Sequence, residues 1–223
     1  MFQKVIFCLL FLFIPLNRAA VNTVANSPFT SSEPVSELAA GEQLFEEMEL
    51  GGTVNFIAFR QAVAGYNRIK EKSKPILTLI DFSKPSTEKR FFVFDMEKKK
   101  LLYSSVVAHG RNSGENYATS FSNQYGSYKS SLGFYLTENT YQGGNGYSLI
   151  LNGLEKGIND KAKARSIVVH GAPYANPSVA ASGRLGRSLG CPALPTKLAR
   201  PIINTIKDGS VMFIYANNPH YLA

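Results

Sequence analysis

SIVVHGAPYANPSVAASGRLGRSLGCPALP, Ser166 to Pro195, decides how this chain is read. Its first five residues, 166–170, are a branched apolar run with the composition of a buried strand, ending on His170. Twenty residues then separate His170 from Cys191, with no convincing helix or strand pattern among them. A loop that long inside a compact domain is uncommon and often functional. The chain thus offers one imidazole at a strand end and one thiol, joined by a glycine-rich connection. A thiol attacks carbonyls as thiolate, and an adjacent imidazole can take its proton if its other ring nitrogen is held. A backbone carbonyl can hold it, and Gly171 is adjacent. The backbone N–H groups of Leu189, Gly190 and Cys191 offer donors for a tetrahedral oxyanion, whereas Pro192 has none to give. The bland reading of each residue alone is a small buried thiol and a satisfied core histidine.

The cysteine count sharpens the choice. The only other cysteine is Cys8, inside the apolar run VIFCLLFLFIPL at residues 5–16. A short charged start, this run and the small residues after it read as a signal peptide over residues 1–20, which implies export to the periplasm or cell envelope of a bacterium. The run is too short for an ordinary membrane span, so membrane contact is expected only through an uncleaved signal segment. With the signal removed, Cys191 is an unpaired thiol in an oxidising compartment, which asks for a chemical reason. The charge narrows the partners. The net charge of +8 is uneven: residues 53–223 hold 22 basic and 10 acidic residues, a net +12. A basic domain suits a polyanionic partner, and export leaves cell-wall polymers or anionic lipid in preference to nucleic acid.

The rest of the chain has the 223 residues needed for one domain plus extra segments. Residues 21–41 read as a flexible linker, its Ser/Thr/Asn/Pro-rich part first, although a short acidic helix can begin at Ser36. A domain is expected over 42–223, with a helical part at 42–73 in which Phe56, Phe59, Val63, Tyr66 and Ile69 make one apolar stripe. From Pro75 the strands ILTLIDF, FFVFDM, LLYSSVVAH, GFYLT, YSLIL and SIVVH follow, with a Gly-Asn hairpin turn in YQGGNGY. A helix over TKLARPIINTIKDG and a last strand SVMFIY close the chain, giving a mostly β α+β domain.

The segment resembles the catalytic segment of the murein L,D-transpeptidase catalytic domain family, the Gly-Cys-Pro-Ala branch of the YkuD-like superfamily. The resemblance rests on the strand-borne His-Gly, on GRLGRSLGCPALP, and on the flanks ILTLIDFSKPSTEKRFFVFD, LGFYLT and GYSLILNGLEKGIND. It implies a β-sandwich-type catalytic domain with helices at its start and near its C-terminus. It also implies Cys191 as nucleophile, His170 as base, Gly171 as orienting carbonyl, and the N–H groups of Leu189, Gly190 and Cys191 as oxyanion hole. The substrate would be a peptidoglycan tetrapeptide stem, cut at the L-centre of its third residue with loss of D-alanine and passed to an amine. No metal or organic cofactor is implied. Water as acceptor would make the same site an L,D-carboxypeptidase or hydrolase, and loss of catalysis would leave a cell-wall-binding protein.

The sequence departs from commoner members of the superfamily, which carry His or Arg where Leu189 stands and an arginine shortly after the cysteine, where Pro192 and Ala193 stand. Arg184 and Arg187 are the candidates to bind a substrate carboxylate instead, and Ser188 either binds substrate or fixes the loop. His109, in VVAHG, is a rival histidine at a second strand end. His220 reads as a solvated tail residue. The polar stretch 112–134 is expected to border the groove.

Overall fold

The computed structural model describes residues 35–222; the expected signal peptide and residues 21–34 of the expected linker lie outside them. Helix α1 runs Val35–Glu47. The short acidic helix expected from Ser36 is thus present, and it takes in residues 35–41 at the end of the expected linker. Helix α2, Phe56–Arg68, starts where the Asn55 side chain accepts from the backbone N–H of Ile57 and Ala58 at 3.0 and 3.3 Å, a normal N-cap. Its expected stripe is the face that packs: Phe59, Val63 and Tyr66 are buried, and Phe45 of α1 meets Phe56 and Phe59 edge to face. At Gly65 a Cβ would overlap the ring of Phe134, so this glycine lets the helix lie on the sheet.

Eight strands form one mixed sheet: β1 Ile76–Asp81, β2 Phe91–Asp95, β3 Lys100–Ser105, β4 Gly133–Gly143, β5 Gly146–Gly153, β6 Val168–Ala172, β7 Ala193–Pro195 and β8 Val211–Tyr215. Their order is β3-β2-β1-β8-β4-β5-β6-β7. β1 with β8 and β6 with β7 are parallel; the other pairs are antiparallel. β1, β2 and β8 are buried at every position, which explains their unbroken apolar sequence in place of alternation. The hairpin expected at YQGGNGY is present, with Gly143 paired to Gly146 across Gly144-Asn145. Helix α4, Thr196–Ile206, buries Ala199, Ile202, Ile203 and Ile206.

Two features were not legible in the sequence. The His170–Cys191 connection contains a 3-10 turn at Pro173–Ala175 and a short helix α3 at Pro177–Ala180, each started by a proline. The chain after β3 also does not end as a strand. It crosses to the far edge of the sheet, where Ala108 and Ala193 exchange N–H···O bonds of 2.8 and 3.2 Å. The sheet thereby curls nearly into a barrel, and this crossing carries the cysteine loop.

Candidate active site

The cysteine loop is held from both sides by the crossing segment. Ser188 N–H donates to His109 O at 2.9 Å, and Arg111 N–H donates to Ser188 O at 2.8 Å; five residues on, Ala193 pairs with Ala108. Between these ties the Ser188 hydroxyl donates to Cys191 O at 2.6 Å and accepts the Gly190 N–H at 3.0 Å. These bonds fix the loop, one of the two roles expected of Ser188, which also lines the cleft described next. Gly190 has φ +127, and a Cβ there would lie 2.8 Å from Ile167 Cδ1 and 2.9 Å from Lys129 O, so only glycine fits.

Cys191 and His170 line one cleft of about 370 Å³, together with Asn145 from the hairpin tip, Arg165, Ser166, Ile167, Tyr174, Arg187, Ser188 and Leu189. Both are nearly buried, at 7% and 4% exposure. His170 reaches it from β6, in register with Ala193 of β7. Its Nδ1 lies 3.1 Å from Gly171 O. A carbonyl only accepts, so Nδ1 carries the proton and the Nε2 lone pair is free to act as base. The Cys191 Sγ accepts the Val168 N–H at 3.5 Å, and its thiol donates to Ser166 O at 3.6 Å. Burial pushes the thiol above its ordinary range, and burial lowers the imidazole, against the Gly171 bond. Both shifts favour the thiol and the neutral imidazole.

The other site candidates sort clearly. The backbone N–H groups of Leu189 and Cys191 have no acceptor among the described residues, whereas that of Gly190 is spent on Ser188. Of the three N–H groups expected to receive an oxyanion, two are thus without an acceptor among the described residues. Leu189 is 57% exposed at the cleft mouth. Arg187 lines the cleft, and its Nη1 donates to Gly114 O at 3.1 Å and Glu115 Oε1 at 2.7 Å. Arg184 does not line it; Nε pairs with Glu115 at 3.2 Å and Nη1 with its neighbour's carbonyl at Leu185. Arg165 and Tyr174 line the cleft but were not singled out. Both flank the strand that bears His170, and no periodicity marks them.

His109 belongs to the support of the site. Fully buried, it places Nδ1 2.7 Å from Arg90 Nη2 and Nε2 3.3 Å from Gly114 O. The arginine can only donate, so His109 is the neutral Nε2–H tautomer. Burial, then the Arg90 charge, lowers its pKa to about 4. Below the ordinary histidine value the unfolded chain binds a proton that the fold refuses. Stability is therefore expected to drop by about 2 kcal/mol between about pH 7 and about pH 4.5 from this group alone. Urea unfolding at both pH values should show that drop shrink in His109→Gln; an unchanged drop would place the acid sensitivity elsewhere. Among the described residues no three His, Cys, Asp or Glu side chains gather as a metal site.

A thiol, an imidazole and two backbone N–H groups without acceptors among the described residues line one cleft, the kinds of group that acyl transfer uses. The sequence model of the L,D-transpeptidase catalytic domain matches residues 51–215, and the chain belongs to that family. No curated protein matches it. Among solved structures, an L,D-transpeptidase from Mycobacterium smegmatis is 13% identical, with 64% of this chain and 59% of that one covered and a TM-score of 0.39. L,D-transpeptidase 3 from Mycobacterium tuberculosis gives 14%, 63%, 61% and 0.40. An L,D-transpeptidase from Stackebrandtia nassauensis gives 14%, 85%, 82% and 0.39. The chain spans about three fifths of the length of the two mycobacterial proteins.

Proposed function

We propose that the protein is a cell-wall L,D-transpeptidase acting on peptidoglycan tetrapeptide stems, exported to the bacterial envelope. The observation that carries this reading is the Nε2 of His170, left free by the Nδ1–Gly171 bond, in the same cleft as the Cys191 thiol. His170 Nε2 takes the thiol proton as sulfur attacks the L-centre carbonyl of the third, diamino-acid residue. The N–H groups of Leu189 and Cys191 receive the oxyanion. The imidazolium returns its proton to the departing D-alanine nitrogen, leaving a thioester. An amine from a second stem attacks that thioester, gives its proton to His170, and forms the new amide as the thiolate leaves. Family membership supports this reaction class, and no helix among the described residues is long and apolar enough to cross a membrane.

The test is the intact mass of the purified protein mixed with a tetrapeptide stem. A tripeptide-sized adduct with release of D-alanine is the expected result. Adding a second stem then distinguishes amine transfer from hydrolysis by water. No adduct and no D-alanine over a range of stems would overturn the proposal in favour of a wall-binding protein.

The arginines give a separate prediction. A carboxylate of the stem is expected to meet Arg187, whose charge reaches the cleft, and not Arg184. Arg187→Ala should raise KM about tenfold, the loss of one charged hydrogen bond, while Arg184→Ala leaves it unchanged. Glu115, 72% exposed at its side chain, competes for the same guanidinium, so Glu115→Gln should lower KM by about twofold to threefold. Steady-state kinetics on one stem peptide checks all three, and equal KM for Arg187→Ala and Arg184→Ala would remove the carboxylate role.

A further inference from the structure

Arg165 sits where the turn after Lys161 enters β6, half-buried and lining the cleft with Cys191. Four of its N–H groups are used. Nη1 donates to Ser122 O at 2.7 Å and Ser131 Oγ at 2.6 Å, and Nη2 donates to Lys129 O at 2.6 Å and Ser127 Oγ at 3.2 Å. All four acceptors are neutral, and no carboxylate among the described residues pairs with this guanidinium. Its charge is thus fixed in place but not cancelled. The same group stands beside the cysteine loop: a Cβ on Gly190 would lie 3.5 Å from Nη2. The loop that Arg165 grips also holds that glycine, because Ser130 Oγ donates to Gly190 O at 3.0 Å and accepts from Gly110 N–H at 3.0 Å.

We propose that Arg165 is a positioning residue of the cysteine site, whose fixed guanidinium stabilises the Cys191 thiolate and locks the Gly190 turn in front of it. Resting on the nucleophile assignment above, the proposal adds the source of the positive charge. The motif Ser188–Pro195 contains no basic residue, and of the two arginines lining the cleft Arg165 alone has no carboxylate partner among the described residues. His170 is neutral at rest, and Tyr174 is held protonated by burial, its pKa raised to about 12. Arg187 is paired with Glu115, and Lys129 directs Nζ to Ser120 Oγ at 2.7 Å, outside the cleft lining. Burial drives the thiol upward; the Val168 N–H and the Arg165 charge act in the opposite direction. A cation in a partly desolvated site acts more strongly than one in water. When His170 Nε2 takes the proton, the sulfur anion forms beside a charge that is already oriented and needs no rearrangement.

The experiment is the rate of iodoacetamide alkylation of Cys191 against pH, in the full chain and in Arg165→Gln and Arg165→Lys. In Arg165→Gln the midpoint should rise by about one unit, which makes alkylation at neutral pH about tenfold slower. Arg165→Lys, which keeps the charge, should restore most of the wild-type midpoint. A folded Arg165→Gln with the wild-type midpoint would overturn the proposal and leave Arg165 as a loop staple. If Arg165→Gln does not fold, the wild type still decides. The ratio of iodoacetate to iodoacetamide rates should exceed that of free cysteine, and should stay high in Arg187→Gln; a ratio at or below the free-cysteine value in either protein overturns it. These alkylations need no stem peptide. A shifted midpoint together with full turnover by Cys191→Ala would reject the proposed function and spare the role of Arg165.

Discussion

Cys191→Ala is expected to lower D-alanine release from a tetrapeptide by at least about ten-thousand-fold, because no other thiol among the described residues can form the acyl-enzyme. The substitution removes a sulfur with only two weak bonds, to Val168 N–H and Ser166 O, so the fold should lose no more than about 1 kcal/mol. His170→Ala should lower the same rate by about a hundredfold to ten-thousand-fold, with the midpoint of the pH profile moved upward. The direction follows from the site. With the imidazole present the rate rises as His170 loses its proton, which burial places below the ordinary histidine value; without it the rate rises only as the buried thiol ionises, above the ordinary cysteine value. Full turnover by Cys191→Ala would place the nucleophile elsewhere.

Arg90→Met is expected to cost about 3–5 kcal/mol of stability, the range for removing one member of a buried charge network. Arg90 is fully buried. Its Nε and Nη2 donate to Val107 O at 3.1 and 2.7 Å, Nη1 to Lys84 O at 2.9 Å, and Nη2 meets His109 at 2.7 Å. Methionine fills similar length but leaves these acceptors without donors and Asp81, also buried, without its nearby positive charge. The damage should reach the chemistry, because Val107 and His109 belong to the crossing segment that holds Ser188. Denaturant unfolding and Cys191 alkylation should therefore change together. A loss below about 1 kcal/mol would show that Arg90's desolvation cost had cancelled its bonds.

Much of this architecture could be read from residue type and spacing. Branched and aromatic runs marked the strands, Gly-Asn marked the hairpin, and the Phe59–Val63–Tyr66 stripe marked α2. Cys191 and His170 could be singled out because a lone thiol and a strand-end imidazole carry chemistry in their own side chains, and the structure puts both in one cleft. What stayed hidden depends on pairing across the fold. LLYSSVVAH reads as one strand, yet residues 106–109 leave β2 to meet β7. Gly190 could be named as an oxyanion donor, but only the position of Ser188 Oγ shows that its N–H is taken. Arg184 and Arg187 are alike in sequence, and only side-chain direction separates them. Arg165 has no motif, since its partners lie on a loop more than thirty residues away.

The bonds joining Ala108 to Ala193 and His109 to Ser188 are the seam along which the rolled sheet closes. The two lips of that seam are distant in the chain, and such non-local contacts carry a loop-closure cost before they return any stability. Cys191 lies between the two stitches. Chain that has not closed its seam presents a cysteine at an ordinary acidity, without aligned donors or an imidazole in place. The geometry that the proposed acyl transfer requires is thus complete only once the seam has closed.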